Sequence, residues 1–396
     1  MTAKSKTMLL AGGSHADIPM IKAAQALGYR VITSGNRPND LGHRFADETR
    51  LADFSDRNAI LALAKELDVD AICASCNDFS ALSCAWAAEH LGLPGHDAYE
   101  TCQTLHHKDL YRAFALANNI ASPQAMGCAS VDEGRLAAAN LTFPVIVKPV
   151  DLTGGKGIRV VESPADLNAA LENAFALTRA GRVVVEEFVE GSRHGFTCII
   201  KDRKIVFRFL DNEHYFLNPY MVSAASTPAS LPDETGLLLT TEVERIADIL
   251  QLVDGIVHVQ FISSAHGPVI IEICRRPPGD LYVLLVQQAT GVDYPSLIVQ
   301  PACGLPLGDI QQAEPRGFYG RHCVMSRSTG VVTGLSVDPS VETKVIDEML
   351  WWSPGDVIDD VLVQKLGIMF FRFDDAAEMR VLMEQMQDLV QPVFAG

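Results

Sequence analysis

Three cationic side chains and a glycine-rich loop are the residues of this chain best suited to chemistry. Lys148 ends the apolar run that starts at Phe143, which predicts a buried strand holding the ammonium group on a rigid element. The loop 153–157 (TGGKG) has glycines that accept positive φ and let backbone N–H groups approach anionic oxygens. Arg276 carries a planar guanidinium that suits an oxyanion. Together with Lys108, these residues suit a ligand that carries several phosphate groups.

The first hundred residues alternate short apolar runs with amphipathic stretches, which predicts strand, helix, strand, helix, strand, helix. This alternation indicates an α/β unit with a doubly wound parallel sheet. Gly12 and Gly13 follow the first strand, but the full GxGxxG fingerprint is absent and the second strand ends in Thr33-Ser34 without an acidic residue. We therefore expect no dinucleotide site, and we expect the glycines to let the turn pass close to a ligand or to the next helix.

The remaining chain mixes strands and helices in an α+β pattern. The predicted helices cover 106–119, a stretch entered through Ser163-Pro164, 233–250 and 374–389. The predicted strands cover 143–148, 158–162, 183–189, a hairpin around 201–204, 255–262 and 267–273. The loop at 91–100 (LGLPGHDAYE) ends the first unit, so we place a boundary near residue 100.

Composition excludes several classes of function. With 32 Lys+Arg against 49 Asp+Glu, the formal net charge is −17, so a polyanionic nucleic acid is not an expected partner. No apolar run reaches the length of a membrane span and the N-terminus turns polar early, so we expect a cytoplasmic protein with no membrane partner. The nine cysteines lie mostly in apolar segments, and we expect no disulfides. Cys73 and Cys76 form a CxxC, but no second pair follows at the spacing of a zinc site.

The order of four features resembles the ATP-grasp superfamily, and in particular its carboxylate-amine ligases. They are Lys108, the Lys148 strand with its TGGKG loop, the run VVEEFV at 184–189, and the pair of strands HVQF (258–261) and IIEICRR (270–276). The resemblance covers nearly the whole chain. It implies a pre-ATP-grasp domain (1–104), a small lobe with a glycine-rich lid (105–182), a large lobe (183–305) and a C-terminal extension packed on the large lobe (306–396). In that extension, WWSPGDVI resembles a recurring Pro-Gly-Asp turn.

The resemblance also implies which residues bind ATP. Lys108 and Lys148 would contact the phosphates, and the loop would close over them. The adenine would pair with main-chain groups near Glu187, beside Glu186. His194 stands where many members have a ribose-binding Glu and where biotin carboxylase-like members have His. The full implied nucleotide set is Lys108, Lys148, Gly154, Gly155, Lys156, Gly157, Glu186, Glu187, Phe188, Val189 and His194.

The implied metal and substrate residues depart from the commonest family pattern. Where typical members present Glu and then Glu-x-Asn, this chain has Gln260, Glu272 and Cys274. Because a thiol is a poor ligand for Mg²⁺, either fewer protein atoms hold the ion or Mn²⁺ is accepted. The implied catalytic residues are Arg276 and Lys148, with Arg275 facing the substrate carboxylate. Candidate substrate contacts are His214, Asn218 and Tyr220.

These assignments predict a ligase that uses ATP and Mg²⁺ (or Mn²⁺) to activate a small-molecule carboxylate as an acyl phosphate for attack by an amine. Two alternatives stay open. Gln260 and His194 also suit an ATP-dependent carboxylase or carbamoyl phosphate-forming enzyme, and Cys274 suits a nucleotide-binding regulatory protein without turnover. A homodimer is compatible with the family. The sequence identifies neither the acid nor the amine.

Overall fold

The computed structural model describes residues 6–152 and 154–395, and its first unit is a parallel sheet. The strands are β1 (Thr7–Ala11), β2 (Arg30–Thr33), β3 (Glu48–Thr49) and β4 (Ala71–Ala74). The helices are α1 (Ile18–Ala26), α2 (Arg57–Glu66) and α3 (Asp78–Leu91). All strand pairs are parallel, in the order β3-β2-β1-β4. Alternate residues of β1 pack towards α1 on one face and towards α2 and α3 on the other. The predicted doubly wound unit is confirmed.

Close packing explains the paired glycines after β1. A Cβ at Gly12 would lie 2.3 Å from the Cβ of Ser75, and a Cβ at Gly13 would lie 2.0 Å from Cε1 of His43. Both distances are too short for real side chains, so only glycine lets the turn pass against its own neighbours.

Two helices follow where the sequence predicts one helix over 106–119. They are α4 (Tyr99–His106) and α5 (Lys108–Ala117), and they are separated by His107, whose backbone is extended (φ −93°, ψ 121°). The break places Lys108 at the first residue of α5 instead of inside a helix.

A four-stranded antiparallel sheet forms the small lobe. Its strands are β5 (Ala125–Cys128), β6 (Val145–Pro149), β7 (Arg159–Val161) and β8 (Val183–Glu187), in the order β5-β8-β6-β7. Its helices are α6 (Val131–Ala138) and α7 (Leu167–Leu177). β8 pairs with both β5 and β6. The boundary that we place at 182/183 from the sequence therefore cuts a strand away from its own sheet, because a buried strand does not reveal its partners.

The large lobe continues the chain with long strands. They are β9 (Ser192–Lys201), β10 (Lys204–His214), β11 (Ala224–Thr227), β12 (Gly255–Ser264) and β13 (Gly267–Cys274). The helices of this part are α8 (Thr235–Leu250), α9 (Tyr282–Thr290) and α10 (Tyr294–Ala302). β9 and β10 form the predicted hairpin around 201–204.

Residues 306–395 complete the same sheet and add a smaller one. Their strands are β14 (Phe318–Val324), β15 (Gly330–Val337), β16 (Val345–Leu350), β17 (Val357–Ile358), β18 (Gly367–Phe373) and β19 (Val390–Phe394). Their helices are α11 (Pro339–Glu342) and α12 (Ala376–Leu389). One sheet has the order β13-β12-β9-β10-β11-β14-β18-β16, and a second has the order β17-β15-β19. The C-terminal region is thus part of the large-lobe sheet and not only packed on it. Within the described residues, no helix has both the length and the apolar character needed to cross a membrane.

Candidate active site

A cleft between the two lobes gathers most of the residues that the sequence singles out. It has a volume of about 90 Å³. Its walls include Lys108, Lys148, Glu186, Glu187, Phe188, Val189, Tyr220, Gln260 and Glu272. We call it the interlobe cleft. Residues as far apart in sequence as Lys108 and Glu272 therefore share one wall.

A buried ion network forms the inner wall of the interlobe cleft. Glu186, which is 1% exposed, accepts a hydrogen bond from Nε of Arg112 at 2.9 Å and pairs through its other oxygen with Lys148. Burial alone would raise the pKa of Glu186, but the charges of Arg112 and Lys148 hold it below its ordinary value. Burial lowers the pKa of Lys148, and the attraction of Glu186 only partly offsets that effect. Both oxygens of Glu186 are thus engaged by cations.

Main-chain groups after β8 face the same cleft. The N–H of Glu187 donates to the carbonyl of Gln124 at 2.9 Å, and that of Phe188 donates to Pro144 at 3.0 Å. Within the described residues, the N–H of Val189 has no hydrogen-bond partner. It is therefore the donor that this segment leaves free for a ligand.

The glycine-rich loop lies against the segment after β10. Gly154, Gly155 and Gly157 have φ values of +67°, +74° and +73°, which glycine adopts at little cost. The amide of Asn218 donates to the carbonyl of Gly154 at 3.4 Å, and a Cβ at Gly155 would lie 2.5 Å from the Cβ of Tyr220. Asn218 and Tyr220 thus meet the loop. Lys156 is exposed, and Thr153 of the motif lies outside the described residues.

Lys108 lies beneath this loop. Its ammonium group donates to the carbonyl of Leu152 at 3.2 Å, so it reaches the start of the glycine-rich segment.

Oxygen-bearing side chains on three strands meet beside Gln260 and Glu272 of the cleft wall. Gln260 of β12 lies directly opposite Glu272 of β13 in the strand register. The amide of Gln260 donates to Glu213 of β10 at 2.7 Å, and the hydroxyl of Tyr215 donates to the other oxygen of Glu213 at 2.5 Å. Burial raises the pKa of Glu213. Amide and carboxylate oxygens suit a hard cation such as Mg²⁺.

Cys274 does not add to this donor set. Burial raises the pKa of its thiol to about 12, so the group is protonated at neutral pH. Its sulfur lies 3.9 Å from the carbonyl of Arg276. Among the residues that the structure describes, no group of three or more His, Cys, Asp or Glu side chains is arranged to hold a metal by itself.

A second cavity of about 120 Å³ adjoins the interlobe cleft and shares Gln260 and Glu272 with it. We call it the inner cavity. It is also bordered by Asp211, Glu213, His258, Cys274, Arg276, Asp280, Tyr282 and Arg321.

The N-terminal domain anchors Arg276. Nε of Arg276 donates to Asp78, the first residue of α3, at 2.8 Å, and Asp78 also accepts from Nδ1 of His106 at 2.9 Å. Burial alone would raise the pKa of Asp78, but Arg276 and then His106 hold it well below its usual range. Arg276 is thus oriented by a carboxylate that stays ionised.

Arg275 is not brought to either cavity. Its Nε donates to Asp97 at 2.6 Å, and its Nη2 donates to the carbonyl of Val253 at 2.6 Å. These contacts lie between the N-terminal domain and α10, where Arg275 borders a separate small cavity with Pro301. The expectation that Arg275 faces a substrate carboxylate is corrected by this placement. Its guanidinium is already held by Asp97 and the carbonyl of Val253, whereas the guanidinium of Arg276 pairs with Asp78.

Two predicted histidines lie elsewhere. Nε2 of His194 lies 2.7 Å from the hydroxyl of Ser192, and Nε2 of His214 lies 3.0 Å from that of Ser226. Burial lowers the pKa of both to about 4. They border a wide cavity of about 680 Å³ near α12 instead of the interlobe cleft. The structure therefore does not place His194 beside the other nucleotide residues.

Sequence reasoning missed several charged residues of the site. Arg112 lies four residues after Lys108, on the same face of α5, and that spacing was a usable signal. Asp211, Glu213, Asp280 and Arg321 carry no comparable signal, because only the folded chain brings them to the inner cavity. Asp78 carries none either, because only the folded N-terminal domain brings it to Arg276.

Comparison with known proteins agrees with this arrangement. Residues 109–310, just over half of the chain, match the family described as "Carbamoyl-phosphate synthase L chain, ATP binding domain". The chain belongs to this family and, with it, to the ATP-grasp superfamily.

Relatives with curated names are formate-dependent phosphoribosylglycinamide formyltransferases. The one from Burkholderia thailandensis is 32% identical over 197 residues, which is 48% of each chain. The one from Prochlorococcus marinus is 24% identical over 323 residues, 79% of this chain and 81% of the relative. The matched part of this chain spans about half the length of the first of these relatives.

Solved structures share the fold across the whole chain. An L-amino acid ligase from Bacillus licheniformis superposes with a TM-score of 0.81 at 19% identity, covering 100% of both chains. A phosphoribosylglycinamide synthetase from Anaerococcus prevotii gives 0.78 at 19% identity, covering 99% of this chain and 100% of the other. The biotin carboxylase domain of a Hydrogenobacter thermophilus 2-oxoglutarate carboxylase gives 0.79 at 17% identity, covering 98% and 91%. These identities establish the fold alone.

Proposed function

We propose that this chain is an ATP-dependent, ADP-forming ligase that joins a small-molecule carboxylate to an amine. The observation that carries the proposal is the pair of adjoining cavities that share Gln260 and Glu272. One cavity holds the two lysines and the free N–H of Val189, which suit a nucleotide. The other holds Arg276 and Arg321, which suit a carboxylate.

The interlobe cleft would bind ATP. The polyphosphate brings negative charge into a chain of net charge −17, so it needs the local cations Lys108 and Lys148. The N–H of Val189 would donate to the adenine edge, and the glycine-rich loop would cover the phosphates. Glu186, already engaged by Arg112, would hold Lys148 in place.

The oxygen donors between the two cavities fit a hard divalent ion. Glu272 and Gln260 would hold Mg²⁺ (or Mn²⁺), with Cys274 outside the coordination shell and phosphate oxygens supplying further ligands. When bound, this ion would neutralise charge on the phosphates.

The reaction balances without a covalent enzyme intermediate. A carboxylate oxygen of the acid attacks the γ-phosphorus, the bond from that phosphorus to the bridging oxygen breaks, and ADP leaves with an acyl phosphate in its place. The amine nitrogen then attacks the acyl carbon, phosphate leaves, and the nitrogen loses a proton to solvent. Arg276, held by Asp78, would stabilise charge on the transferring group. The covering loop would keep water from the acyl phosphate.

The net charge of −17 also bears on the partners of the whole protein, because it disfavours a polyanion such as nucleic acid. We propose small-molecule partners only, with no nucleic acid or membrane partner, a cytoplasmic location and a homodimer in solution. Light scattering after size exclusion would measure the oligomeric state.

Trapping of the acyl phosphate tests the proposal. Hydroxylamine converts an acyl phosphate to a hydroxamate and phosphate, whatever the natural amine. We expect the protein with ATP, Mg²⁺, hydroxylamine and small carboxylic acids to form ADP and hydroxamate in equal amounts. A calorimetric titration that detects no adenine nucleotide binding would refute the proposal. ADP formation driven only by bicarbonate would assign the chain to the carboxylase class instead, and nucleotide binding without ADP formation would assign it to a regulatory role.

A further inference from the structure

The inner cavity is lined by acidic and basic side chains. Some of them are paired with charged residues outside the cavity, and others are not. Asp280 is bound through both oxygens by Lys365 at 2.6 Å, and Arg276 is bound by Asp78. These charges are compensated by residues outside the cavity. Asp211 and Glu213 are not, because in the part of the chain that the structure describes their side chains accept hydrogen bonds only from neutral groups.

Asp211 is the clearest case. It is 0% exposed, one of its oxygens accepts the hydroxyl hydrogen of Tyr282, and the other has no partner among the described residues. A buried carboxylate oxygen without a partner is unfavourable unless a ligand completes its hydrogen bonds. The site therefore lacks a donor at Asp211.

Two further buried atoms on the same cavity have no partner in the described ranges 6–152 and 154–395. They are Nε of Arg321, whose residue is 2% exposed, and Nδ1 of His258, whose residue is 6% exposed. Arg321 therefore has a free donor in the cavity wall that contains the unsatisfied acceptor of Asp211. One ligand with an anionic group for Arg321 and a cationic group for Asp211 satisfies the free donor and the free acceptor together.

An ammonium group matches the unsatisfied acceptor of Asp211. An ammonium group needs only single acceptors such as Asp211 and Glu213.

We propose that the acid activated at this site is a small neutral α-amino acid, held with its ammonium group against Asp211 and its carboxylate towards Arg276 and Arg321. This inference rests on the proposed ligase function and names the class of its acid. The inner cavity adjoins the interlobe cleft, so an acid bound in it would lie next to the proposed nucleotide site.

Matched acids with and without the amino group test this inference. The protein saturated with Mg²⁺ and a non-hydrolysable ATP analogue is titrated calorimetrically with glycine, L-alanine and L-serine, and with acetate, propionate and 3-hydroxypropionate. We expect at least one amino acid to bind about tenfold or more tightly than its partner without the amino group, because a charge-assisted hydrogen bond to Asp211 is lost. Equal affinities within all three pairs, or no binding of any amino acid, would overturn the inference.

Variants give the second arm of the test. Asp211→Asn should weaken amino acid binding about tenfold or more while leaving nucleotide affinity unchanged. Asp248→Asn, on the surface of α8, is the matched control and should change neither. Unchanged amino acid affinity in Asp211→Asn would overturn the inference. If Asp211→Asn does not fold, Glu213→Gln and the wild-type pairs decide the question.

Failure of the proposed ligase function and failure of the amino acid inference give different experimental results. Loss of nucleotide binding in the wild type would remove the proposed function together with this inference. Nucleotide binding and hydroxamate formation without preference for amino acids would overturn this inference alone.

Discussion

Lys148 of β6 and Glu186 of β8 form an ion pair on adjacent antiparallel strands, buried in the inner wall of the interlobe cleft. Arg112 binds the second oxygen of Glu186, so one carboxylate fixes two cations. The charge that would meet a nucleotide is therefore oriented before any ligand arrives.

We predict that substitutions of Lys148 and of Glu186 have different effects. Lys148→Ala leaves Glu186 paired with Arg112, so the protein should fold but lose ADP formation by about 100-fold or more. Glu186→Gln leaves two buried cations unpaired and should lower the free energy of unfolding by about 3–5 kcal/mol. Urea denaturation and an ADP-release assay measure the two effects. Wild-type turnover in folded Lys148→Ala would remove this lysine from the site.

Glu272→Gln should abolish ADP formation at ordinary Mg²⁺ concentrations, with a loss of about 100-fold or more. The reason is that the amide keeps the shape of the side chain but removes the negative charge that attracts the ion. Electron paramagnetic resonance of Mn²⁺ in the presence of ADP should show weaker metal binding. Glu342→Gln, on exposed α11, is the control; equal Mn²⁺ affinity in both variants would contradict the metal assignment.

Cys274→Asn should preserve or increase turnover supported by Mg²⁺. The buried thiol, with a pKa of about 12, offers no anionic sulfur at neutral pH, whereas an amide offers an oxygen. Steady-state rates with Mg²⁺ and with Mn²⁺ measure the change. A large loss with both ions would show that the thiol has another role.

The pair of Asp78 and Arg276 predicts a dependence on pH. Because the pKa of Asp78 lies well below its unfolded value of about 3.9, its stabilising contribution is present above that value and is lost as pH falls below it. The free energy of unfolding of the wild type should therefore exceed that of Asp78→Asn at pH 7, and the difference should shrink near pH 3. A difference that is constant between the two values would refute this account.

Asp78→Asn should also lower turnover, by about 100-fold, since Arg276 loses the carboxylate that orients it. As a positioning residue, Asp78 should affect kcat more than the KM for ATP. An equal change in both constants would point to a purely structural role.

Arg275→Met should reduce stability but not the turnover of the folded fraction. Removal of the guanidinium leaves Asp97 buried without its cation, which should cost about 3–5 kcal/mol. Denaturation and active-site-normalised rates separate the two effects. A selective loss of turnover would return Arg275 to the catalytic set.

The order of motifs along the chain was sufficient to predict the fold class and the residues of the interlobe cleft. Lys148 and Glu272 end up in one cleft because each lies on a strand whose pattern is legible in the sequence. Glu213 was not predictable, since its hydrogen bond with Gln260 spans the intervening strand β9 and depends on the register of all three strands. The choice between Arg275 and Arg276 was equally hidden, because only the folded backbone decides which neighbour points inward.

The turn of the predicted hairpin, at Asp202 and Arg203, has a conformation that the local sequence does not indicate. Both residues have positive φ (+51° and +63°), which glycine or asparagine usually supplies. The N–H of Asp202 donates to Asp254 at 2.7 Å, a contact between distant residues that no local pattern reveals.

The strand order β11-β14 has a consequence for how this protein can be divided. Residues 109–310 match the family, but β14 lies beyond them, covers the open edge of β11 and carries Arg321 into the inner cavity. A chain cut after residue 310 would expose that edge to pairing with other molecules and would lose one wall of the cavity. The segment that defines the family is therefore shorter than the part of the chain that forms the inner cavity.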